Sequence, residues 1–431
     1  MRRPPLPFVP EDPPPGPFRR DFWRSPLRGP WLVSLLSAAL LPLIVICALT
    51  GFLSHAAYEP HLGNNAITGD AGVAFDLYFF SWPTSPAWLY ALTQGLHVAS
   101  GLAAIPILLA KLWAVIPQLF EWPPVRSLAH GLERLGLALL VGGSLFVFFT
   151  GVWNIQLYYP WGFTFVPAHY YGAFIFLSAL AVHIATKLGI FTRAFKREGV
   201  VRPLRDDLAH TKPEPVVDHD SSAPTLPAEP TISRRGLVAA VGAGSAGLAV
   251  MAAAQSIGGP ARSLGLLAPR GRKIGAGAAN DFQVNKSAMG AGIMREQTGA
   301  SWRLTLVAGG RELERSRTEL LAMPQATEQL RIACVEGWST METWTGVPLA
   351  ALARLAGAQE SELLVESLQE GGPFRRVTLS PGQAGNPRSL LALKVNGADL
   401  SADHGFPARI MIPAAPGVHQ TKWVARMTWA A

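Results

Sequence analysis

The chain has 431 residues and a formal net charge of +8, with 49% hydrophobic but only 15% charged residues. Soluble proteins carry about 25% charged residues, so this composition indicates a chain that is partly embedded in a membrane. The basic residues stand in short clusters beside apolar runs and are not interleaved with aromatic residues, which argues against nucleic-acid binding. Two cysteines are too few for a disulfide framework, a Cys-ligated iron–sulfur cluster or a C-x-x-C-H haem site.

Five apolar stretches meet the length of about 20 residues that a membrane-spanning helix needs. They lie near residues 31–53, 87–113, 132–158, 166–191 and 236–257. Lys and Arg occur before the first stretch, between the second and third, and after the fourth, whereas the other two connections among these four contain none. Because positive loops stay in the cytoplasm, the N-terminus is predicted to lie inside and those two connections outside.

The composition along the chain predicts six segments. They are a disordered cytoplasmic N-terminus (1–30), a four-helix membrane domain (31–200), a cytoplasmic linker (201–232), a fifth span (233–258), a second linker (259–279) and an exported domain (280–431). The first segment is rich in Pro and Arg, and the first linker is rich in Pro, Asp and Ser, as expected of chain that does not fold alone.

Four histidines lie in or next to the apolar stretches: His55 at the outer end of the first, His97 in the second, and His169 and His183 in the fourth. Polar residues inside a bilayer are costly, so such histidines are functional candidates. The last two are 14 positions apart, which places them on one helix face about 21 Å apart along the axis. One His alone would more often hydrogen-bond a neighbouring helix. Four with this spacing favour axial ligation of two stacked haems.

The membrane half resembles the di-haem cytochrome b subunits of formate dehydrogenases and nickel–iron hydrogenases over about residues 25–200. The shared pattern is one His in each of the first two helices and two His in the fourth, and the stretches YYPWG (158–162) and PAHYYG (167–172) are similar to bacterial members. The resemblance implies two b haems, held by the four histidines, and quinone or quinol chemistry beside one haem.

The haem pairing follows from depth in the predicted bilayer. His55 lies nearer the outer end than the family's first-helix ligand, so the pairing can depart from that of the family. By depth we pair His55 with His169 and His97 with His183.

A glycine pattern at residues 242–247 satisfies G-x-G-x-x-G but does not indicate dinucleotide binding, because no Asp or Glu occurs between residues 231 and 280 to bind a ribose. Arg234 and Arg235 precede this Ala- and Gly-rich run and resemble a twin-arginine export signal. The alternative is an ordinary fifth span that the arginines anchor inside. The topology is the same, but a signal explains why the run is poor in Leu and Ile.

The exported domain is predicted to be mixed α/β and rich in β-strands, and Cys334 is its only cysteine. An unpaired thiol in an oxidising compartment is prone to oxidation unless a ligand occupies the sulfur, and thiolates bind transition metals well. A buried, inert thiol explains this cysteine equally well on chemistry alone.

The sequence around Cys334, RIACVEGWS (331–339) followed by WTGVPL (344–349), resembles the molybdenum-binding segment of the sulfite oxidase family. The tail 395–423, with VNG, HGFP and KW, is similar to that family's cofactor-binding half, and DFQVN (281–285) to the segment that opens its fold. The resemblance covers about residues 280–431.

This second resemblance implies a role for each matching residue. Cys334 would ligate the molybdenum of a molybdenum–molybdopterin cofactor. His404, Arg409 and Lys422 would hold the pterin and its phosphate, Asn285 and the backbone near Gly417 would line the pocket, and His419 is a further candidate. The domain is shorter than a full sulfite oxidase core, which leaves the substrate open.

The two halves together predict a multi-pass oxidoreductase of the bacterial inner membrane, with its C-terminal domain outside. Electrons would pass between the quinone pool, the b haems and the molybdenum, and reduction of a small S-oxide or N-oxide is favoured. One alternative is a sulfite-type dehydrogenase that delivers electrons to quinone. Another is a non-catalytic haem electron-transfer protein with a cofactor- or partner-binding domain. A periplasmic electron-transfer protein is a further candidate partner.

Overall fold

The computed structural model describes residues 12–65, 80–216, 222–268 and 277–430. Parts of the predicted N-terminal segment and of both predicted linkers therefore lie outside the described residues. Within these ranges, five helices are long and apolar enough to cross a membrane. They are α1 (Pro30–Ala56), α2 (Leu89–Leu119), α3 (Leu128–Ile155), α4 (Phe165–Glu198) and α5 (Arg234–Ile257). Each overlaps one of the five predicted apolar stretches, so the helical N-terminal region is confirmed.

The chain divides into two compact units, and the boundary crosses α1, α2, α3 and α5. The first unit consists of Met1–Ile46, Ser100–Trp153 and Trp161–Ala249, and the second of Cys47–Ala99, Asn154–Pro160 and Val250–Ala431. The first unit is helical, with a core of apolar side chains that includes Trp31, Leu36, Ile107 and Phe176.

Polar contacts in the first unit fix where its helices begin. At the start of α1, the backbone N–H of Trp31 donates to Glu214 Oε2 at 3.0 Å. At the start of α5, Arg234 is buried, and its Nη2 donates to the Lys212 carbonyl at 2.5 Å. Arg235 beside it is exposed. Arg234 therefore has an anchoring contact in the folded chain, whichever role the arginine pair has in export.

The second unit contains two β-sheets and four short helices. The strands are β1 (Arg303–Ala308), β2 (Arg311–Ser316), β3 (Ala326–Ala333), β4 (Ser339–Pro348), β5 (Leu363–Ser367), β6 (Arg376–Leu379), β7 (Leu390–Val395), β8 (Ala398–Asp399), β9 (Arg409–Met411) and β10 (Val424–Trp429). The helices are α6 (Arg295–Thr298), α7 (Arg317–Ala322), α8 (Leu349–Ala356) and α9 (Pro381–Ala384). The predicted β-rich C-terminal domain is thus confirmed.

One sheet has the order β2-β1-β10-β5-β6, and the other has β3-β4-β7-β8 with β9 also paired to β7. Only the β1–β10 pair is parallel among the pairs described. Apolar side chains such as Leu306, Val365, Leu391 and Met427 are fully buried and form the main core. The strand β3 brings the chain to Cys334, and β9 and β10 flank the tail loop that faces it.

The C-terminal end of α1 and the N-terminal end of α2 belong to the second unit, which includes Cys47–Ala99. The indole Nε1 of Trp82 donates to the Ala414 carbonyl at 2.7 Å, and the Ala414 N–H donates to the Ala87 carbonyl at 3.2 Å. Asn65 exchanges two hydrogen bonds with the backbone of Thr378, at 2.7 and 2.9 Å. Backbone-directed hydrogen bonds therefore hold this connection against the β-rich domain.

Candidate active site

Cys334 lies in a tight turn between β3 and β4. Its N–H donates to the Trp338 carbonyl at 2.9 Å, and its carbonyl accepts from the Gly337 N–H at 3.0 Å. Gly337 has a φ of +90°, a conformation that favours glycine. Cys334 is buried, so the turn holds the thiol in one place inside the domain.

The tail loop before β10 approaches the Cys334 turn closely. The Gly417 N–H donates to the Ala333 carbonyl at 2.8 Å, and a Cβ at position 417 would lie 3.0 Å from that oxygen. Gln420 Nε2 donates to the Arg331 carbonyl at 3.1 Å. The lack of a side chain at Gly417 therefore lets the loop pack against the residue that precedes the cysteine.

His404, Arg409 and Lys422 meet beside this loop. Arg409 Nη1 donates to the His404 carbonyl at 3.0 Å, and Lys422 Nζ donates to the Asp403 carbonyl at 2.9 Å. Gly405, with a φ of +107°, stands where a Cβ would lie 3.1 Å from the Lys422 side chain and 3.2 Å from Arg409 Cβ. The three predicted cofactor-binding side chains thus form one basic cluster.

The protonation of this cluster reflects its burial. Burial lowers the pKa of Arg409 to about 9. Burial, followed by the charges of Arg409 and Lys422, lowers the pKa of His404 to about 4, so His404 is neutral near pH 7. The cluster therefore combines two cations with a neutral imidazole.

Several polar atoms around the basic cluster are buried and have no hydrogen-bond partner among the described residues. They are His404 Nε2, Arg409 Nε, Gln420 Oε1 and Thr421 Oγ1. A buried guanidinium without an acidic partner costs several kcal/mol unless an anion neutralises it. A pterin with an anionic phosphate supplies both that charge and ring donors and acceptors, so these residues fit the cofactor that the sequence predicts.

Asn285 lies at the edge of the same cluster. It is half-buried, and its Oδ1 accepts from the Lys286 N–H at 2.9 Å. The Lys286 carbonyl in turn accepts a hydrogen bond from Lys422 Nζ. The segment that carries Asn285 is therefore tied to the cofactor-binding side chains.

No group of three or more His, Cys, Asp and Glu side chains that could hold a metal ion occurs within the described ranges.

His419, Tyr58 and Tyr90 form a second polar group near Cys334. His419 is 1% exposed, and burial lowers its pKa to about 3. Tyr58 packs edge-on against the His419 ring, with 5.6 Å between ring centroids. Burial raises the pKa of Tyr58, and the charge of Cys334 raises it further. Sequence reasoning missed both tyrosines, because aromatic residues at the end of a span are also typical of a membrane interface.

Among the four histidines of the candidate spans, His97 and His169 each have an Nδ1 contact. His97 Nδ1 lies 2.8 Å from the Cys47 carbonyl, and a Cβ at Gly51 would lie 2.7 Å from the same nitrogen. His169 Nδ1 lies 3.2 Å from Thr150 Oγ1. Contacts of this kind fix the orientation of an imidazole that ligates a metal through Nε2.

The other two histidines are His55 and His183, and both are half-buried. His55 and His97 belong to the second unit, and His169 and His183 to the first.

The neutral state of buried His419 predicts a pH dependence of stability. Its folded pKa of about 3 lies below an unfolded value of about 6.5, so the unfolded chain takes up the proton first as the pH falls. The free energy of unfolding should then decrease from pH 6.5 downwards, by up to about 1.4 kcal/mol per pH unit from this group. His419→Gln should lose less stability than the parent between pH 7 and 5.

The measurement is denaturant unfolding of the solubilised chain at several pH values, followed by tryptophan fluorescence. The matched control is His210→Gln, whose side chain is 75% exposed and which should follow the parent. Equal pH slopes for His419→Gln and the parent would show that His419 does not contribute.

Comparison with known proteins shows what the C-terminal part of the chain is similar to. Residues 291–431 match the family model described as Oxidoreductase molybdopterin binding domain. The chain is 39% identical over 85 residues to sulfite oxidase of Arabidopsis thaliana, covering 18% of this chain and 21% of that protein. It is 30% identical over 125 residues to the protein-methionine-sulfoxide reductase catalytic subunit MsrP of Gluconobacter oxydans, covering 25% and 40%.

Another relative is the putative protein-methionine-sulfoxide reductase subunit YedZ1 of Azospira oryzae, 32% identical over 106 residues, covering 25% of this chain and 40% of the relative. Among solved structures, the sulfane dehydrogenase SoxCD of Paracoccus pantotrophus aligns over 30% of this chain and 38% of its own, with 22% identity and a TM-score of 0.28. The chain thus spans two fifths or less of the length of these relatives. Residues 291–431 therefore match a molybdopterin-binding oxidoreductase domain and are similar in sequence to sulfite oxidase.

Proposed function

We propose that this chain is a membrane-bound molybdenum oxidoreductase that uses electrons from quinol to reduce an S-oxide outside the cytoplasmic membrane. The observation that carries the proposal is the buried Cys334 thiol together with a basic cluster in which the buried atoms His404 Nε2 and Arg409 Nε have no partner among the described residues. The substrate class rests on two relatives that are named protein-methionine-sulfoxide reductase subunits. The reaction takes two electrons and two protons and yields a sulfide and water.

In the proposed site, each side chain of the C-terminal domain has a separate task. The Cys334 thiolate holds the metal, and Arg409 and Lys422 neutralise and orient the anionic part of the cofactor. His404, whose Nδ1 lies 2.8 Å from Ser401 Oγ, presents Nε2 to the pterin. When bound, the cofactor supplies the redox and oxygen-transfer chemistry.

We further propose that His55, His97, His169 and His183 are axial ligands of b haems. The Nδ1 contacts of His97 and His169 support this role, since contacts of this kind orient an imidazole that ligates a metal. Gly51 also fits, because any side chain there would displace the His97 ring.

Electrons would reach the proposed metal site at Cys334 through helix α2 of the same chain. Gln94 Nε2 donates to the carbonyl of Val335, the residue after Cys334, at 2.7 Å. Val98 contacts the Cys334 turn at Gly337, where a Cβ would lie 2.9 Å from the valine side chain. His97 lies between these two residues on the same helix. The proposed haem-binding helix therefore contacts the proposed metal-binding turn.

The proposed location is the bacterial cytoplasmic membrane, with the N-terminus inside and the C-terminal domain outside. Five helices of sufficient length and hydropathy support it, together with the alternation of basic and uncharged connections along the sequence. Arg234 and Arg235 are proposed as a twin-arginine export signal.

A sulfite-type dehydrogenase is the second candidate, favoured by the identity of 39% to a sulfite oxidase. It would run electrons in the opposite direction, from sulfite through the haems to quinone. The two functions are separated by mixing the haem-reduced protein with an S-oxide and the oxidised protein with sulfite. Oxidation of the haems in the first mixture supports the reductase, and haem reduction in the second supports the dehydrogenase.

The first test of the proposed function concerns Cys334. Cys334→Ser should still fold and retain the pterin through Arg409 and Lys422, but turnover of methyl p-tolyl sulfoxide with a quinol should fall by on the order of 100-fold or more. Even second-shell partners of metal ligands typically cost 10- to 100-fold when mutated. The sulfur contribution should also disappear from the X-ray absorption spectrum at the molybdenum edge.

The matched control is Thr327→Ser, an exposed position on β3, which should keep parental turnover. Parental turnover in Cys334→Ser would exclude this cysteine as the metal ligand.

The second prediction concerns the haems. The purified parent should show a b-type spectrum when reduced. His97→Ala and His183→Ala should each lose about half of the haem, since each of these histidines is proposed to ligate one of two haems. Haem content is measured as the pyridine complex against protein concentration. His130→Ala, at the start of α3, is the control and should keep the parental content. Undiminished haem in both variants would contradict the assigned ligands.

The third prediction concerns topology. A reporter that is active only outside should be inactive when fused after Pro230 and active when fused after Ala430, because the fifth span lies between them. Replacing Arg234 and Arg235 by Lys should leave the second fusion inactive if the pair is an export signal. Equal activity of the two fusions in the parent would mean that α5 does not cross the membrane.

A further inference from the structure

A buried group of three polar rings lies beside Cys334, and two of the three rings come from outside the molybdopterin-binding domain. Tyr58 follows α1 and Tyr90 lies at the start of α2, whereas His419 belongs to the tail loop. Tyr58 stands between the other two, edge-on to both, with ring centroids 6.4 Å from Tyr90 and 5.6 Å from His419. All three side chains are buried.

The tyrosines are close to the Cys334 turn. Tyr58 and Tyr90 share an apolar cluster with Ala333, the residue that precedes Cys334. The Gln94–Val335 hydrogen bond, one turn of α2 beyond Tyr90, fixes the same helix to the residue that follows the cysteine. Tyr58 and Tyr90 therefore lie beside the candidate metal site.

The polar atoms of this group are available to a ligand. The Tyr90 hydroxyl lies beside that of Tyr58, but it makes no hydrogen bond of regular geometry within the described part of the chain. Neither ring nitrogen of His419 has a partner there, although Tyr90 and His419 are each only 1% exposed. Buried donors without an acceptor are costly, so this arrangement is typical of a site that a ligand completes.

The chemistry of the group fits an S-oxide. A sulfoxide oxygen carries two lone pairs and accepts two hydrogen bonds, which a phenol O–H and a neutral imidazole N–H can donate together. Tyr58 and Phe374, whose rings lie 6.2 Å apart, provide an aromatic wall for the apolar groups on sulfur. None of Tyr58, Tyr90, Phe374 and His419 is a carboxylate, so this group sets no negative charge against the partial negative charge of the S-oxide oxygen.

We propose that Tyr90 and His419 bind the oxygen atom of the S-oxide while Tyr58 packs against its substituents. The membrane half thereby completes the substrate pocket of the molybdenum site. This inference rests on the proposed function. In the reaction the S–O bond breaks, sulfur keeps the electron pair, and the oxygen leaves as water. Quinol supplies the two electrons through the haems, and solvent supplies the two protons. Tyr90 and His419 polarise the S–O bond and are not consumed.

The test is binding of methyl p-tolyl sulfoxide to the full chain, loaded with both cofactors, oxidised and without reductant, by titration calorimetry. Tyr90→Phe removes only the hydroxyl, and His419→Phe replaces the imidazole by an apolar ring. Each should raise the Kd by about 3- to 10-fold, the range expected for one lost hydrogen bond. In turnover the KM should rise with the Kd. Molybdenum and haem contents should match the parent.

Tyr158→Phe is the control, since that side chain is 57% exposed and should leave the Kd unchanged. An unchanged Kd in both Tyr90→Phe and His419→Phe overturns the inference, as does loss of molybdenum from Tyr90→Phe, which would show a structural role instead. A parent that binds no S-oxide contradicts the proposed function and the substrate named here. A parent that binds it as tightly as both variants contradicts the pocket alone.

Discussion

The buried guanidinium of Arg409 is the constraint on which the C-terminal site depends. It lies 5.0 Å above the Trp344 ring and donates to the carbonyls of His404 and Gln420, so one side chain joins the segment before β9 to the tail loop. No described carboxylate neutralises it, and burial alone lowers its pKa. A fold that keeps such a charge inside gains stability when an anion binds, because binding to the native state alone stabilises that state. Binding of the proposed cofactor at the basic cluster should therefore also stabilise the native state.

Close approach of backbone segments fixes the position of Cys334. The turn that carries Cys334 depends on the positive φ of Gly337, and the tail loop reaches it because Gly417 has no side chain. The same turn is held from the other side by Gln94. Three separate stretches of chain thus meet at the turn that carries Cys334, and two of them approach through glycine. For the proposed role of Cys334, a turn held by these contacts would keep the metal ligand in position through changes of oxidation state.

The sequence predicted the features that depend on local pattern and missed those that depend on tertiary contact. The five helices follow from apolar length, and β7 follows from a continuous apolar run that is buried almost throughout. The edge strand β2 has no such signal, because four of its six side chains are charged and none is buried. In β4, Ser339 and Thr340 are buried as well as Trp344, so its burial does not follow an apolar pattern. Tyr58 and Tyr90 could not be assigned, because their approach to Cys334 joins positions far apart in the sequence.

The second unit combines residues of the membrane half with the C-terminal domain, and in the proposed topology this determines the order of assembly. Every side chain of the basic cluster lies after residue 280, so in the proposed topology this part would take up its cofactor before it crosses the membrane. Tyr58, Tyr90 and Gln94 would reach the Cys334 turn only when the connection between α1 and α2 is already outside. The proposed order is then cofactor loading first, export second, and closure of the proposed substrate pocket and electron path last. A domain that stays inside would hold the cofactor but lack both the proposed aromatic wall and its contact with α2. The proposed reaction would thereby be confined to the outer face of the membrane.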